Sequence, residues 1–458
     1  MEVSNVTTPP TAAQPKRELS LFDSTCIIVG IIIGAGIYQM APDIAKGAGS
    51  WWGVLAIWGV GGLLSLFGAL GYAELATAYP REGGDYIYLS RAYGSWAGFL
   101  FGWGQLAIIR PGDIAVMAFA FATYARTIYD PLAAYPAYSQ RAFAAAAVVV
   151  LTVIHIVGVK EGKWTQNLLT TVKALGLLAI VAVAVIAPKK VLPAAAESVG
   201  SLPLSLALVF VLFTYGGWNE MAYVAAEVKD FRRNIVRALV LGAAVVTVLY
   251  LLVNGAFLYT LGYAGLATSK AVASDAISTA FPRVGGGLIS ALVCISALGA
   301  VSGLIFTGAR ISYALGAEHR AFRWVGKWHA RTGTPAWALL VQGAIAVALI
   351  VVLGSFVDTI LYTAAPVYAF YLATSLAVIV LRFKERDIER PYRVTGYPFT
   401  TLIFSAVCAF LIYSTVSYAW NVKTKSLCLL EAILLAGMVI YCLTDVRDFV
   451  RRRTNGNT

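Results

Sequence analysis

Two stretches of sequence decide the fold: Gly30-Ile31-Ile32-Ile33-Gly34-Ala35-Gly36-Ile37-Tyr38 and Phe213-Thr214-Tyr215-Gly216-Gly217-Trp218-Asn219. Each places glycines in the middle of a long apolar segment, the first and the sixth of the chain. Backbone amides and carbonyls cannot be left bare in hydrocarbon, so a helix is interrupted there only where the freed groups face protein, a ligand or a water-filled cavity. Matched interruptions in two halves of a chain therefore predict a binding site at mid-membrane depth.

The composition indicates a polytopic membrane protein. Of 458 residues, 59% are hydrophobic and only 13% are charged, and the mean hydropathy is +0.75. An average soluble domain is about 25% charged. Runs of about 20 apolar residues predict transmembrane helices. Twelve such segments are predicted, near 24–46, 51–79, 93–124, 140–158, 164–187, 202–228, 236–261, 287–315, 335–354, 357–382, 399–420 and 426–444.

The charges orient the predicted spans. Residues 1–20 are polar and contain proline, without the layout of a secretory signal peptide, so they are interpreted as a cytosolic tail. Lys and Arg are concentrated in the loops on the same side as this tail and in a basic tail at 447–458. The positive-inside rule therefore places both termini in the cytoplasm of a plasma (inner) membrane protein. Residues 21–446 are interpreted as a single transmembrane domain.

Several function classes are disfavoured by the sequence. The net charge of +12 is spread over the predicted cytosolic loops, where anionic lipids and the orientation rule explain it better than nucleic acid does. The five cysteines and three histidines show no metal-ligating spacing, so no metal or other cofactor is expected. The chain has neither a phosphate-binding loop for ATP nor a catalytic triad, which argues against a primary pump and against an enzyme.

The first ten spans are predicted to form two repeats of five helices. An odd number of spans in each repeat gives the two halves opposite orientations in the membrane, which is an inverted-repeat topology. The two glycine-broken segments then occupy the first position of each repeat. Spans 11 and 12 are predicted to be peripheral.

Five motifs in order along the chain resemble the amino acid, polyamine and organocation transporter superfamily, and within it the L-amino acid transporter light subunits and their bacterial relatives. The motifs are the segments Gly30–Tyr38, Gly68–Leu75, Gly83–Tyr88, Ile108–Pro111 and Phe213–Asn219. This resemblance implies a LeuT-type fold, alternating access and sodium-independent transport of free amino acids, often by exchange. It also implies that Gly83-Gly84-Asp85 forms a cytosolic re-entrant connection that moves and does not bind substrate.

The breaks are expected to bind the two charged ends of an amino acid. Unpaired amides at a helix start bind anions, and unpaired carbonyls at a helix end bind cations. On the family pattern, amides around Gly34, Ala35 and Gly36 hold the substrate carboxylate. Carbonyls near Ile32, Phe213 and Thr214 take the ammonium, and Gly216 belongs to the same second break. Many relatives have Ser where this chain has Ala35, so only a backbone contribution carries over.

The side-chain end of the pocket is assigned to three residues that follow or flank the second break. By resemblance, Phe213 is an aromatic gate and Asn219 a polar pocket residue, although either could instead serve packing. Glu220 is an intramembrane acid and hence a functional candidate. It could bind a cationic substrate side chain, titrate during transport, or face a basic partner.

Lys173 is predicted to couple helices. It lies roughly 10 residues into the fifth span, about 15 Å from the end of that span, which is near the membrane midplane. A lone ammonium there requires polar partners. The resemblance implies that it replaces a sodium ion and bridges helix 1 near Gly30 to helix 8, with Ser296 and Ser302 as candidate hydroxyl partners.

The remaining intramembrane charges are interpreted as structural or gating groups. Arg110 and Asp113 are i, i+3 neighbours and can pair on one helix face. Glu74 and Glu227 lie towards predicted cytosolic helix ends, where loop arginines could pair with them.

The sequence as a whole predicts a sodium-independent exchanger of neutral L-amino acids. One alternative is a transporter of cationic amino acids or polyamines, with or without proton coupling, for which Glu220 would be the discriminating residue. A nutrient receptor with a transporter fold is a further alternative. No disulfide-linked heavy chain is expected, because the outer loop between Arg126 and Arg141 contains no cysteine.

Overall fold

The chain forms a bundle of α-helices. The computed structural model describes residues 19–80, 83–157, 163–186, 201–223, 225–282, 285–319, 322–327, 334–422 and 424–455. Within these ranges no β-strand forms, and the only extended pairing is a single bridge between Leu19 and Val228. Most of the predicted N-terminal tail lies outside the described residues. The predicted C-terminal tail continues the last helix as far as Asn455.

Seventeen α-helices are found among the described residues. In chain order they are α1 (Leu21–Ile32), α2 (Gly36–Gln39), α3 (Ala41–Ala48), α4 (Trp51–Ala78), α5 (Asp85–Tyr93), α6 (Ser95–Gly104), α7 (Arg110–Ile128), α8 (Pro136–Val157), α9 (Lys163–Ile186), α10 (Leu204–Thr214), α11 (Phe231–Thr268), α12 (Val272–Ser278), α13 (Gly285–Glu318), α14 (Ala336–Leu353), α15 (Phe356–Lys384), α16 (Phe399–Val422) and α17 (Thr424–Asn455). A π-helical turn, Gln105–Ile109, joins α6 to α7, and 3-10 turns at Trp218–Tyr223 and Ala225–Glu227 follow α10.

Ten helical stretches among the described residues are long and apolar enough to cross a membrane. They are Leu21–Gln39, Trp51–Ala78, Ser95–Ile128, Pro136–Val157, Phe231–Thr268, Gly285–Tyr313, Ala336–Leu353, Phe356–Lys384, Phe399–Val422 and Leu427–Thr444. Each of the ten overlaps a predicted span.

The fifth and sixth predicted spans fall short of that criterion. In α9 the apolar part is confined to Thr170–Ile186, because the helix begins with the polar run Lys163-Trp-Thr-Gln-Asn167. The helix α10 has only 11 residues because it ends at Thr214. The structure thus supports a polytopic helical membrane protein, while twelve spans and the inverted repeat stay predictions.

Helix packing brings the two glycine-rich segments together at the centre of the bundle. α1 packs against α9 and α11, and α10 packs against α3 and α4. α7 packs against α8, α13 and α15. The interior is filled by large apolar and aromatic side chains, among them Trp58, Phe210 and Tyr250, which are fully buried. Polar groups placed among them must find partners inside the protein.

Candidate functional site

The first helix break lies where the sequence predicts it. α1 ends at Ile32, the backbone of Ile33 leaves the helical region with ψ 76°, and a new helix starts at Gly36. The Gly34 amide turns back to the Ile32 carbonyl at 2.7 Å. The first amides of a helix have no partner within it, so the segment around Ala35 presents donors inside the bundle.

The second break lies at the end of α10. The Gly216 amide donates to the Phe213 carbonyl at 2.9 Å. Gly217 then adopts φ +105°, a conformation that residues with a Cβ rarely take. The 3-10 turn that follows carries Trp218, Asn219 and Glu220, all of which are buried. The sequence therefore turns out of the helix at a glycine and presents its polar residues on a tight turn.

The two breaks touch each other. A Cβ on Gly36 would lie 3.1 Å from Thr214 Oγ1, and a Cβ on Gly217 would lie 2.6 Å from Ile31 Cγ2. Real Cβ atoms do not approach a neighbour as closely as 2.6 Å, so Gly217 is required for this contact. The structure thus joins the predicted site residues of both breaks into one region, with Met117 of α7 against Gly34 on a further side.

Tyr250 of α11 bridges the two breaks, which the sequence did not indicate. Its hydroxyl donates to the Ile32 carbonyl at 2.8 Å and lies 3.3 Å from the Thr214 carbonyl. The ring packs against Trp58 and Tyr215. A tyrosine inside an apolar span was the available signal, because a buried phenol needs a hydrogen-bond partner, but its partners lie on distant segments.

The carbonyls predicted for the ammonium differ in their remaining capacity. The Ile32 carbonyl accepts from Gly34 and Tyr250, and the Phe213 carbonyl accepts from Tyr215 and Gly216. Among the described residues, the Thr214 carbonyl has only the longer contact of 3.3 Å from the Tyr250 hydroxyl. A carbonyl has two lone pairs, so in this conformation Thr214 is the one of the three that keeps an acceptor position.

Lys173 contacts the first broken helix. Its Nζ donates to the Gly30 carbonyl at 3.2 Å, and the side chain is buried. On the same face of α9, Thr170 Oγ1 donates to the Cys26 carbonyl at 3.1 Å and Asn167 Nδ2 donates to Asp23 Oδ1 at 2.9 Å. The sequence-predicted contact to helix 1 is therefore one of three bonds between α9 and α1.

The two helix 8 serines named as candidate partners of Lys173 have different surroundings. Ser302 Oγ lies 2.8 Å from His155 Nε2 of α8. Ser296 Oγ is buried and has no hydrogen-bond partner among the described residues. Both serines lie on α13, and the bridge from Lys173 to helix 8 stays a prediction.

Glu220 forms an ion pair with Arg110. The Arg110 Nη2 atom lies 2.5 Å from Glu220 Oε1, and Arg110 Nε donates to Gln105 Oε1 at 3.0 Å. Arg110 therefore does not pair with Asp113 as the i, i+3 spacing suggested. The π-helical turn contributes to this outcome, since the Arg110 amide bonds to the Gln105 carbonyl five residues earlier.

The polar residue beside Glu220 is also bound. Tyr371 of α15 donates its hydroxyl to Asn219 Oδ1 at 3.1 Å, and its ring stacks on Trp218 with the ring centroids 5.2 Å apart. Phe213 is partly exposed, whereas Leu212 and Thr214 beside it are buried. Asn219 and Phe213 thus flank the second break from opposite sides of the turn.

One end of the bundle is closed by a dense polar network, here called the Asp85 end. The Asp85 carboxylate accepts hydroxyl bonds from Tyr72, from Tyr223 at 2.8 Å and from Thr374 at 2.7 Å. Gly83 and Gly84 precede it with φ +108° and +46°. The sequence singled out this motif as a joint and did not foresee the three hydroxyls, which come from α4, α15 and the 3-10 turn.

Ion pairs reinforce the Asp85 end. Arg382 Nε donates to Glu74 Oε1 at 2.8 Å, which confirms the expectation that an arginine pairs with Glu74. Arg91 donates to Glu385 at 2.9 Å. Burial raises the pKa of the Glu385 carboxyl, but the hydrogen bonds from Arg91 and Tyr79 outweigh it, so this pKa lies below its usual value.

The segment before α1 is tied to the segment after the second break. The Leu19 amide donates to the Glu227 carbonyl at 3.0 Å, and the Lys229 amide donates to the Leu19 carbonyl at 2.9 Å. This short bridge links the start of the first broken segment to the end of the second.

Long apolar helices that enclose two facing helix breaks and buried charges define a membrane transport protein. The sequence profile of the amino acid permease family matches residues 19–439. The chain belongs to this family; it is an amino acid transporter and not an enzyme.

Individual relatives agree with this assignment. The chain is 31% identical to the b(0,+)-type amino acid transporter 1 of Mus musculus over 93% of its own length and 88% of the relative. It is 30% identical to the serine/threonine exchanger SteT of Bacillus subtilis, over 93% of the chain and 96% of the relative. It is 31% identical to the large neutral amino acids transporter small subunit 2 of Mus musculus, over 93% and 81%.

Proposed function

We propose that this protein exchanges neutral L-amino acids without sodium, by alternating access in a LeuT-type fold of twelve spans. The observation that best supports this proposal is the contact between the two broken helices, in which Gly36 lies against Thr214. A helix start and a helix end meet there, so donors and acceptors face one small volume. An amino acid carries an anion and a cation on one carbon and matches that arrangement.

The carboxylate would bind the amides around Gly34, Ala35 and Gly36. Because Ala35 lacks a hydroxyl, the backbone alone supplies these donors. The ammonium would bind at the end of α10, where the Thr214 carbonyl retains an acceptor position. Substrate side chains would then extend towards Phe213, Gly216 and Asn219.

Sodium independence is inferred from Lys173. Its ammonium is buried and donates to the Gly30 carbonyl, near the end of α1. A fixed positive charge at this position supplies the attraction that a bound cation would give to the carbonyls of the broken helix. A second cation beside it would be repelled.

Alternating access is inferred from the specific polar bonds that hold the Asp85 end of the bundle together. At the Asp85 end, Glu74, Asp85 and Glu385 connect the three helices α4, α5 and α15 through bonds that must break for that end to open. The broken segments are tied into this end through Leu19. Their movement against the other helices would open the site to that side, which the positive-inside rule assigns to the cytoplasm of a plasma membrane protein.

Proteoliposomes containing the purified protein test the proposal. Uptake of labelled leucine, alanine or serine is compared with and without unlabelled amino acid inside, in sodium and in choline buffer. We expect uptake only into loaded vesicles and equal rates in the two buffers. Uptake that collapses in choline would overturn the sodium-independent mechanism, and equal uptake into empty vesicles would overturn exchange.

No disulfide-linked heavy chain is proposed as a partner. The loop from Arg126 to Arg141 has no cysteine, and the described cysteines are unpaired, with Cys26, Cys294 and Cys408 buried. A partner that is seen on a non-reducing gel and lost with reductant would contradict this.

The alternative of a cationic substrate needs a different recognition residue from the one the sequence suggested. Glu220 is bonded to Arg110. Removing Glu220 would leave a buried guanidinium unpaired, and such a defect would impair transport of every substrate. Glu220 is therefore proposed as a structural partner of Arg110 in this conformation.

A further inference from the structure

Asp113 is a carboxylate inside the bundle without a hydrogen bond or ion pair among the described residues. Arg110, one turn earlier on the same helix, directs its guanidinium to Glu220 and Gln105. The acids Asp113 and Glu220 and the base Arg110 therefore lie on adjacent elements. Arg110 is paired with Glu220, which lies on the 3-10 turn. Asp113 retains an uncompensated acceptor.

The position of Asp113 on α7 places it between the two breaks. Met117 lies four residues later on the same helix face, about 6 Å along the axis. The Met117 Cε atom lies 3.2 Å from the position of a Cβ on Gly34, so this face is turned towards the first break. Arg110, three residues earlier, reaches the 3-10 turn of the second break through Glu220.

The burial of the Asp113 side chain differs from that of its neighbours. It is partly exposed, whereas its neighbours Gly112 and Ile114 are buried. Gly112 packs closely on Thr363 of α15, and a rotation of about 100° per residue turns Asp113 away from that contact. Met117, on the same helix face, is likewise partly exposed.

An acid is costly to bury in a membrane interior, so such residues mark ligand or ion pathways. We propose that Asp113 is a specificity-determining residue that binds the basic side chain of a lysine-like or arginine-like substrate. This inference rests on the proposed amino acid site and extends its substrate range from neutral to cationic side chains. The substrate ammonium or guanidinium would donate to Asp113 as a charge-assisted hydrogen bond.

The geometry suits a substrate anchored at the helix breaks. With the carboxylate at Ala35 and the ammonium at Thr214, a long basic side chain would run along the α7 face from Met117 towards Asp113. The aliphatic stem would lie against Met117, and the charged tip would reach the carboxylate one turn further on. A neutral side chain such as that of leucine would occupy the Met117 level and end before Asp113.

The test compares lysine and leucine uptake in the same proteoliposomes for the wild-type protein, Asp113→Asn and Asp113→Glu. We expect the ratio of lysine to leucine uptake to fall about 10- to 100-fold in Asp113→Asn, because a hydrogen bond to a charged group is lost. Asp113→Glu keeps the charge and should recover part of the ratio. Asp275→Asn, an exposed acid of α12 that bonds to Ser269, is the matched control and should leave the ratio unchanged.

Three results would overturn the inference. The first is an unchanged ratio of lysine to leucine uptake in Asp113→Asn, and the second is an equal loss of uptake of both substrates. The third is an intact ratio together with loss of the pH dependence of leucine uptake. That third result would make Asp113 a proton carrier. Wild-type protein that exchanges neither substrate would instead overturn the proposed function, so the two failures are distinguishable. Leucine uptake by Asp113→Asn also reports that this variant folds.

Discussion

At the scale of single residues, Tyr250 shows how one side chain can hold two irregular segments in place. Its hydroxyl contacts carbonyls that belong to different broken helices, 218 and 36 residues away in sequence. Freed carbonyls repel each other when they converge, and a shared hydroxyl proton offsets that repulsion. The bridge therefore fixes the spacing between the two sides of the proposed substrate site.

Tyr250→Phe should loosen that spacing. We expect a loss of about 1 kcal/mol of stability from the missing hydrogen bond and a several-fold weaker apparent substrate affinity. Tyr263→Phe is the control. It removes a hydroxyl bond of 3.1 Å to the Ala45 carbonyl, which lies outside the two breaks. It should lose similar stability without the change in affinity. Both are measured by thermal unfolding in detergent and by uptake at varied substrate concentration.

The residues of the site differ in how visible they were in the sequence. Gly34, Gly36 and Gly217 stand out because glycine in an apolar span needs a reason, and the reason is close approach or a positive φ. Tyr250 and Asp113 have no such mark. Their importance depends on which distant atoms they meet, and one chain read alone does not give those distances.

At the scale of elements, α9 acts on the first broken helix through a row of polar bonds. Asn167, Thr170 and Lys173 follow one another at intervals of three residues, which places them on one helix face. They bond in order to Asp23, Cys26 and Gly30 of α1. The row lies beside the N-terminal part of the break, so α1 cannot tilt away from α9 without losing these bonds.

Lys173→Ala should therefore separate rate from affinity. The substrate amides around Ala35 remain, but α1 loses its bond at Gly30, so closure around the substrate becomes less favourable. We expect a large fall in the maximal exchange rate and a smaller change in the half-saturating concentration. Ala35→Trp, which fills the pocket, should abolish binding instead.

The same experiment needs a control on α9. Thr171→Ala changes an exposed residue that bonds within its own helix, to the Asn167 carbonyl, and should leave exchange unchanged. Wild-type rate and affinity in Lys173→Ala, or normal binding in Ala35→Trp, would show that coupling and binding are wrongly assigned to these elements.

The elements themselves were largely predictable, and the exceptions have physical causes. Hydropathy located ten of the twelve predicted spans among the described residues, and glycines located both breaks. The π-helical turn at Gln105–Ile109 was not predicted, because its residues are ordinary helix formers. Pro111, which lacks an amide hydrogen, was the available hint of an irregular helix. The direction of the Arg110 side chain also depends on Glu220, an acid on a distant segment.

At the scale of the whole molecule, closure of the Asp85 end depends on contacts between residues far apart in sequence. Glu74 bonds to Arg382, 308 residues away, and to the Val394 amide at 2.7 Å. The sequence indicated that arginines would pair with Glu74 but not which ones. Several arginines follow α15, and only packing decides among them.

Acid should weaken this closure through Glu385. Its pKa is lowered from about 4.5 in the folded protein, so its stabilising contribution is full above that value and is lost as the pH falls through the lower, folded-state pKa. We expect thermal stability to decrease below about pH 4.5, and to decrease less in Glu385→Gln, which is less stable at neutral pH. Parallel acid profiles for the two proteins would contradict this assignment.

Glu74→Gln tests whether closure depends on buried charge. Glu74 is 1% exposed in its ion pair with Arg382, whereas Glu389 pairs with Arg232 at the surface, where the two side chains are 68% and 56% exposed. Removing one partner of a buried pair costs about 3–5 kcal/mol, and exposed pairs contribute about 0–1 kcal/mol.

We therefore expect Glu74→Gln to lower the unfolding temperature and the exchange rate strongly, and Glu389→Gln to change neither. Because the arginine left behind destabilises the closed form, thiols introduced at Thr77 should also become more accessible in Glu74→Gln than in the control. Equal labelling and equal stability in the two variants would mean that the hydroxyl bonds around Asp85 hold this end closed without the Glu74 pair.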